Sequence, residues 1–186
     1  MDVHVEGTEY IQVDQPYIFV MNHQSMIDIP AVYHILPVSI CFVVKQELSK
    51  IPLFGRTIGR MGMLFVDRSN PKKAYESLAR GAQLIQSGTN VMAFPEGTRN
   101  RSDTLRSFKK GIFVLAKQAQ VPIVPMAIEG AQDVLTKSGL MQKNHQVYIK
   151  IGAAIEPDIF AEHDEISLAA YTRQRVCELH ESIDKL

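Results

Sequence analysis

Six short apolar runs divide this chain: Tyr17–Met21, Ile40–Val44, Gly62–Val66, Asn90–Phe94, Ile123–Ile128 and Gln146–Ile151. Each is rich in β-branched or aromatic residues and short enough to be a strand. Between them lie longer stretches with a helical period. In "NPKKAYESLARGAQLIQSG", Asn70 caps a helix and Pro71 takes its first turn. Ala74, Leu78, Ala82 and Ile85 then make one apolar face, and Gly88 ends the helix. Lys109–Gln118 is a second helix, with Ile112, Leu115, Ala116 and Ala119 inward. Ser167 opens a third, with Leu168, Val176, Leu179 and Ile183 in helical register. Strands alternating with helices predict an α/β layer architecture with at least partly parallel pairing. In such sheets ligands collect at strand ends, where loops are free to carry chemistry.

A chain of 186 residues suits one domain, residues 1–186, with a single substantial core. The hydrophobic fraction of 46% and charged fraction of 22% are ordinary for a globular protein. No apolar run approaches the ~18 residues of a membrane span, and no signal peptide precedes the first run. The expectation is a chain neither secreted nor membrane-spanning. Cys41 and Cys177 form no CxxC pair and read as ordinary thiols of a reducing compartment. Net charge is zero, but residues 45–110 hold 13 Lys/Arg against 5 Asp/Glu, while the flanks hold 7 against 15. That excess is either a set of solvated helix faces or a surface for an anionic substrate or lipid.

Three strand exits are unusually polar. The first, "NHQSMIDIP", follows Tyr17–Met21 and places Asp28 five residues after His23. On a continuous helix that spacing separates two side chains by about 140°. Pro30 removes the difficulty, because it starts the next helix near Ile29 and leaves His23 to Ile27 as a tight loop. The loop can fold the carboxylate onto the imidazole. The same spacing equally suits Asp28 as a helix cap and His23 as a surface residue. The second exit is "GMLFVDR", with Asp67 and Arg68. The third is "FPEGTRNRS", where Pro95-Glu96-Gly97 has turn composition and Thr98, Arg99 and Arg101 offer a hydroxyl and two guanidinium groups. Together the exits supply an oriented base and phosphate donors, which suits transfer to or from a hydroxyl on a phosphate-bearing molecule. A G-x-x-x-x-G-K-[ST] loop and a G-x-S-x-G elbow are both missing, which argues against a nucleoside triphosphatase and a serine hydrolase. His4, His34, His145, His163 and His180 lack metal-ligand spacing and read as surface or helix-face residues.

At these residues the chain resembles the glycerolipid acyltransferases, specifically the lysophosphatidate (1-acylglycerol-3-phosphate) acyltransferase group. "NHQSMID", "GMLFVDR", "FPEGTRN" and "VPIVPM" match its four ordered motifs, and "VVKQELSKIPLFGRTIG" and "FKKGIFVLAKQAQ" are also similar to family sequence. The similarity runs from about Gly7 to Ile155. It implies a glycerol-3-phosphate acyltransferase-like fold, a mixed, mostly parallel central sheet flanked by helices. It implies His23 as general base and Asp28 as its orienting partner. Arg68, Glu96, Gly97, Thr98 and Arg99 are implied in binding the acceptor phosphate. Asn22, Lys45 and Pro125 are implied near substrate, although "VPIVP" also reads simply as a buried strand. The hydrophobic helix that usually precedes the first strand in this family is missing here, so the expectation is a short form or a fragment. Ser107 stands where the family often has a proline.

The resemblance implies acyl transfer from acyl-CoA or acyl-ACP to the free hydroxyl of lysophosphatidate, giving phosphatidate, with no metal and no bound cofactor. It also implies peripheral association with an anionic membrane surface at the cytoplasmic face, and no nucleic-acid partner. An acyltransferase for another acceptor, such as glycerol-3-phosphate or a lyso-aminolipid, is a second reading. A non-catalytic phospholipid-binding module is a third, though such a module has no need of an oriented base.

Overall fold

The computed structural model describes residues 2–60, 62–66, 70–102, 104–135 and 145–183. In chain order the elements are β1 (Asp2–Glu6), β2 (Ile18–Met21), α1 (Asp28–Ile35), β3 (Ile40–Lys45), α2 (Phe54–Arg60), β4 (Leu64–Val66) and α3 (Pro71–Gln86). They continue as β5 (Asn90–Ala93), α4 (Gly111–Ala119), β6 (Ile123–Glu129), α5 (Ala131–Val134), β7 (Gln146–Ile151) and α6 (Glu165–Glu181). Among the described residues the strands form one sheet, ordered β1-β7-β6-β2-β5-β3-β4. β6, β2, β5, β3 and β4 are mutually parallel, so their carboxyl ends share one edge. β7 runs antiparallel to β6, and β1 pairs parallel with β7.

Burial on both faces explains the unbroken apolar runs. Successive side chains of a strand point to opposite faces. Accordingly Ile18 and Val20 of β2 join a core with Phe113, Leu115 and Ala116 of α4 and Ala82 and Ile85 of α3. Phe19 and Met21 join the opposite core with Ala31 and Val32 of α1 and Val134 of α5. Phe113 is completely buried, so its truncation to alanine costs about 3–5 kcal/mol.

The sequence-predicted elements form with shifted ends. β2 starts at Ile18 because the Tyr17 N–H donates to Asn90 Oδ1 at 2.9 Å, a side chain standing in for the ladder. α3 ends as expected: Gly88 takes φ 102°, a left-handed value that favours glycine. α6 begins two residues earlier than expected, because Asp164, not a residue nearer Ser167, caps it. The Asp164 carboxylate accepts the N–H groups of Ile166 and Ser167. β1, α2 and α5 were not predicted. β1 is "DVHVE", mostly exposed at the sheet edge, and carries too little apolar surface to register as a strand.

Candidate active site at the carboxyl edge

The turn leaving β2 is held by its own polar side chains. Asn22 is buried and pairs with the main chain of Ile128: its Nδ2 donates to the Ile128 carbonyl at 2.9 Å, and its Oδ1 accepts the Ile128 N–H at 2.8 Å. This side chain, expected to face substrate, is instead turned inward, extending the β2–β6 ladder past its last residue. One residue on, His23 Nδ1 lies 2.6 Å from Asp28 Oδ2. Asp28 is the first residue of α1 and fully buried, 0% exposed. The same oxygen accepts the backbone N–H groups of Gln24 at 2.7 Å and Ser25 at 3.0 Å. A buried carboxylate demands such donors, and here the tight loop supplies them to Oδ2 while Oδ1 finds none among the described residues.

The capping alternative is thus only half met. Asp28 does accept backbone N–H groups, but those of the preceding loop, while the residue before the helix, Ile27, makes no side-chain cap. With Nδ1–H committed to Asp28, Nε2 is the basic nitrogen on the far side of the ring. The imidazole stacks on Phe94 with centroids 4.1 Å apart and planes 13° from parallel, and Phe94 continues to Phe42. An imidazole fixed at Nδ1 and on one face, with 14% of its side chain exposed, is placed to take a proton from a hydroxyl.

The turn leaving β5 is built around Glu96, which is buried. Its Oε1 accepts the His23 N–H at 3.1 Å, and its Oε2 accepts Asn100 Nδ2 and the Arg106 N–H, each at 3.0 Å. Asn100 closes the bracket by donating its N–H to the His23 carbonyl at 2.6 Å. Glu96 therefore corrects its expected place on the acceptor phosphate. Its oxygens are spent joining two strand exits, which is what a buried carboxylate requires. Gly97 takes φ 74° with its N–H on the Phe94 carbonyl at 3.0 Å, a backbone that strains any residue with a Cβ. The Lys109 side chain lies across Gly97, so that a methyl group there would meet Nζ at 2.5 Å. Thr98 and Arg99 are exposed just beyond this turn.

Beside Phe94 an apolar cavity of ≈ 240 Å³ opens, with Val43, Val66, Leu78, Ile112 and Leu115 in its wall and Lys109 and Lys110 among its lining residues. It runs between the sheet and helices α3 and α4. Lys45 is the last residue of β3 and so belongs to the same edge. Pro125 does not: it is buried in the middle of β6, in register with Val20. Arg68 lies outside the described residues. No group of three or more metal-ligating side chains occurs among the described residues.

Sequence reasoning missed several residues that shape this edge. Asn100 and Phe94 escaped because a lone amide and a strand-end phenylalanine are common. Glu129, at the end of β6, accepts Gln24 Nε2 at 2.7 Å and lies 2.8 Å from His180 Nε2. No local spacing announces that pairing. Cys41 and Cys177 remain thiols whose pKa is pushed up, chiefly by burial.

Comparison with known proteins gives the family. An Acyltransferase family model matches residues 2–129. The human 1-acyl-sn-glycerol-3-phosphate acyltransferase alpha is 33% identical over 172 residues, covering 92% of this chain and 61% of that protein. The 1-acyl-sn-glycerol-3-phosphate acyltransferase of Saccharomyces cerevisiae is 34% identical over 139 residues, covering 73% of this chain and 46% of that protein. The chain therefore spans about half to three-fifths of the length of these curated relatives. The crystal structure of the 1-acyl-sn-glycerophosphate (LPA) acyltransferase PlsC from Thermotoga maritima superposes with a TM-score of 0.81 at 30% identity, covering 100% of this chain and 74% of that one. With the family model matching more than half its length and the whole chain superposing on that structure, this chain belongs to the Acyltransferase family.

Proposed function

We propose that this protein transfers an acyl group from acyl-CoA or acyl-ACP to the free hydroxyl of lysophosphatidate, giving phosphatidate. The observation that carries the reading is the 2.6 Å contact between His23 Nδ1 and buried Asp28, in a turn braced by Glu96. Neutral His23 accepts the hydroxyl proton on Nε2. The oxygen attacks the thioester carbonyl carbon, and the tetrahedral intermediate collapses with loss of the thiolate, which recovers the proton from the imidazolium. Asp28 holds the tautomer and stabilises the cation. The acceptor hydroxyl is itself the nucleophile, so no acyl-enzyme is needed, and the raised thiol pKa values of both cysteines accord with that.

Arg99, Thr98 and the Gly97 turn are exposed beside this base and suit the acceptor phosphate, with Arg68 from the second motif as their partner. The apolar cavity beside Phe94 suits the acyl chain, and Lys109 and Lys110 suit the anionic end of the donor. No helix among the described residues is long and apolar enough to cross a membrane. The basic excess of residues 45–110 supports peripheral binding to an anionic bilayer, at about 1 kcal/mol per Lys or Arg held near the surface. The test is thiol release from oleoyl-CoA with and without lysophosphatidate, alongside glycerol-3-phosphate and other lyso-lipids. Release that requires lysophosphatidate is expected; equal release without any acceptor would overturn the reading.

A further inference from the structure

Helix α6 lies beyond the segment matched by the family model, yet it reaches the loop that carries the base. Its last turn bears His180, whose Nε2 is 2.8 Å from Glu129 Oε2. The same oxygen accepts from Gln24 Nε2 at 2.7 Å. Gln24 in turn donates its backbone N–H to Asp28 Oδ2 at 2.7 Å, the oxygen that touches His23. We infer that Glu129 and His180 are positioning residues for the His23–Asp28 pair. The chain His180–Glu129–Gln24 fixes the loop that aims Asp28, so α6 sets the geometry of the base without touching substrate.

Three features carry this. Gln24 and Glu129 are both buried, so an amide and a carboxylate have been taken out of water to meet each other, which is costly unless each is partnered. The two anchors are rigid, one ending a central strand and one in a 17-residue helix, whereas residues 22–27 have no regular structure. A second contact from α6 grips the other strand exit. Arg173 Nη2 donates to the Leu105 carbonyl at 2.5 Å and its Nε to the Arg106 carbonyl at 3.0 Å. The Arg106 N–H then donates to Glu96, which holds the His23 backbone. One helix therefore braces both turns that present the imidazole. Displacements of about 1 Å at a reacting group cost up to ~10²-fold in rate, so such bracing has a kinetic consequence.

The inference rests on the proposed acyl transfer only for its kinetic readout. The decisive variant is the double substitution Glu129→Leu/His180→Leu, which removes both members of the ion pair and leaves neither charge unpaired. It is expected to keep its circular dichroism spectrum and to melt somewhat below the wild-type temperature, because the Gln24 amide loses its acceptor. Its kcat should fall about 10- to 100-fold, with KM for both substrates within about twofold. The low-field proton resonance of His23 Nδ1–H, assigned by its loss in His23→Ala, should shift or broaden. Glu129→Gln keeps an oxygen for the Gln24 amide and should restore kcat to within about threefold of wild type. If the double variant does not fold, Gln24→Leu cuts the same chain at the loop and is expected to give the same kcat loss and resonance shift. Wild-type kcat with an unmoved resonance in the folded variant overturns the inference, as does a kcat loss with the resonance unmoved. A wild-type protein that releases no thiol with lysophosphatidate sinks the proposed function instead, and the His23 resonance then decides the positioning role alone.

Discussion

Two histidine–carboxylate pairs stand at the carboxyl edge of this sheet, and they are nearly equal in geometry. His23–Asp28 measures 2.6 Å and His180–Glu129 2.8 Å, with 14% and 13% of the imidazole side chains exposed. The difference lies in which ring nitrogen is spent. His23 gives Nδ1 to Asp28, which leaves Nε2 facing away from the carboxylate, on a ring stacked against Phe94 beside the apolar cavity. His180 gives Nε2 itself, and the carboxylate it meets is already tied to Gln24. A short contact between imidazole and carboxylate is therefore not enough for the proposed base role. That role also needs the nitrogen on the far side of the ring.

The largest effect that divides the two pairs is expected at His23. His23→Ala should lower kcat on the order of 10²–10⁴-fold while the protein stays folded, since a loop imidazole adds little to the core. Steady-state kinetics with a melting curve checks both halves, and near-wild-type turnover would place His23 on a level with His180. Asp28→Asn follows closely, with a loss of up to about 10⁴-fold, because the amide can favour the wrong tautomer at Nδ1. Asp28→Ala should add a stability loss of about 1–3 kcal/mol, since the N–H groups of Gln24 and Ser25 lose their acceptor. Denaturant titration measures it, and unchanged stability would mean the turn is held by Glu96 alone.

Arg99→Ala sharpens the contrast from the substrate side. A charge-assisted hydrogen bond contributes about 1.5–3 kcal/mol, so the acceptor KM should rise roughly 10- to 150-fold with lysophosphatidate and little with monoacylglycerol. Equal losses on both acceptors would remove the phosphate role. The smallest expected effect concerns the cap of α6. Hydrogen bonds from Ser167, its backbone N–H foremost, hold the Asp164 carboxyl below the usual carboxylate range. A carboxyl depressed in the folded state stabilises above its unfolded pKa of about 4 and loses that contribution as pH falls through the folded value. Asp164→Ala should therefore lower Tm at pH 7 by a small margin that closes as the solution is acidified. A gap that persists at low pH would assign the loss to helix propensity.

Much of the candidate site's geometry was legible because its parts are close in the chain. His23 and Asp28 are separated by one tight loop ended by Pro30, and backbone geometry alone limits what such a loop can do. The turn at Pro95-Glu96-Gly97 was legible for the same reason, and Gly97 does take positive φ. Glu96 and Asn22 were misread because a polar residue at a strand exit looks alike whether it faces solvent or a neighbouring turn. Once buried, each must find donors or acceptors, and the nearest were on the His23 turn and on Ile128. His180 read as a helix-face residue for want of any local partner.

What the amino-acid sequence determined by itself was the set of buried strands, the period of the helices between them, and the polar exits at which chemistry gathers. These follow from side-chain patterning over a few residues, where the backbone has few alternatives. Only the tertiary structure decided strand order, the division of the core between the two faces of the sheet, and the meeting of Glu129 with Gln24 and His180 across 105 and 51 positions. Loop-closure cost rises only slowly with sequence separation, so spacing carries almost no signal for such contacts. Buried polar groups must instead be satisfied by whatever the packed sheet and helices bring within reach.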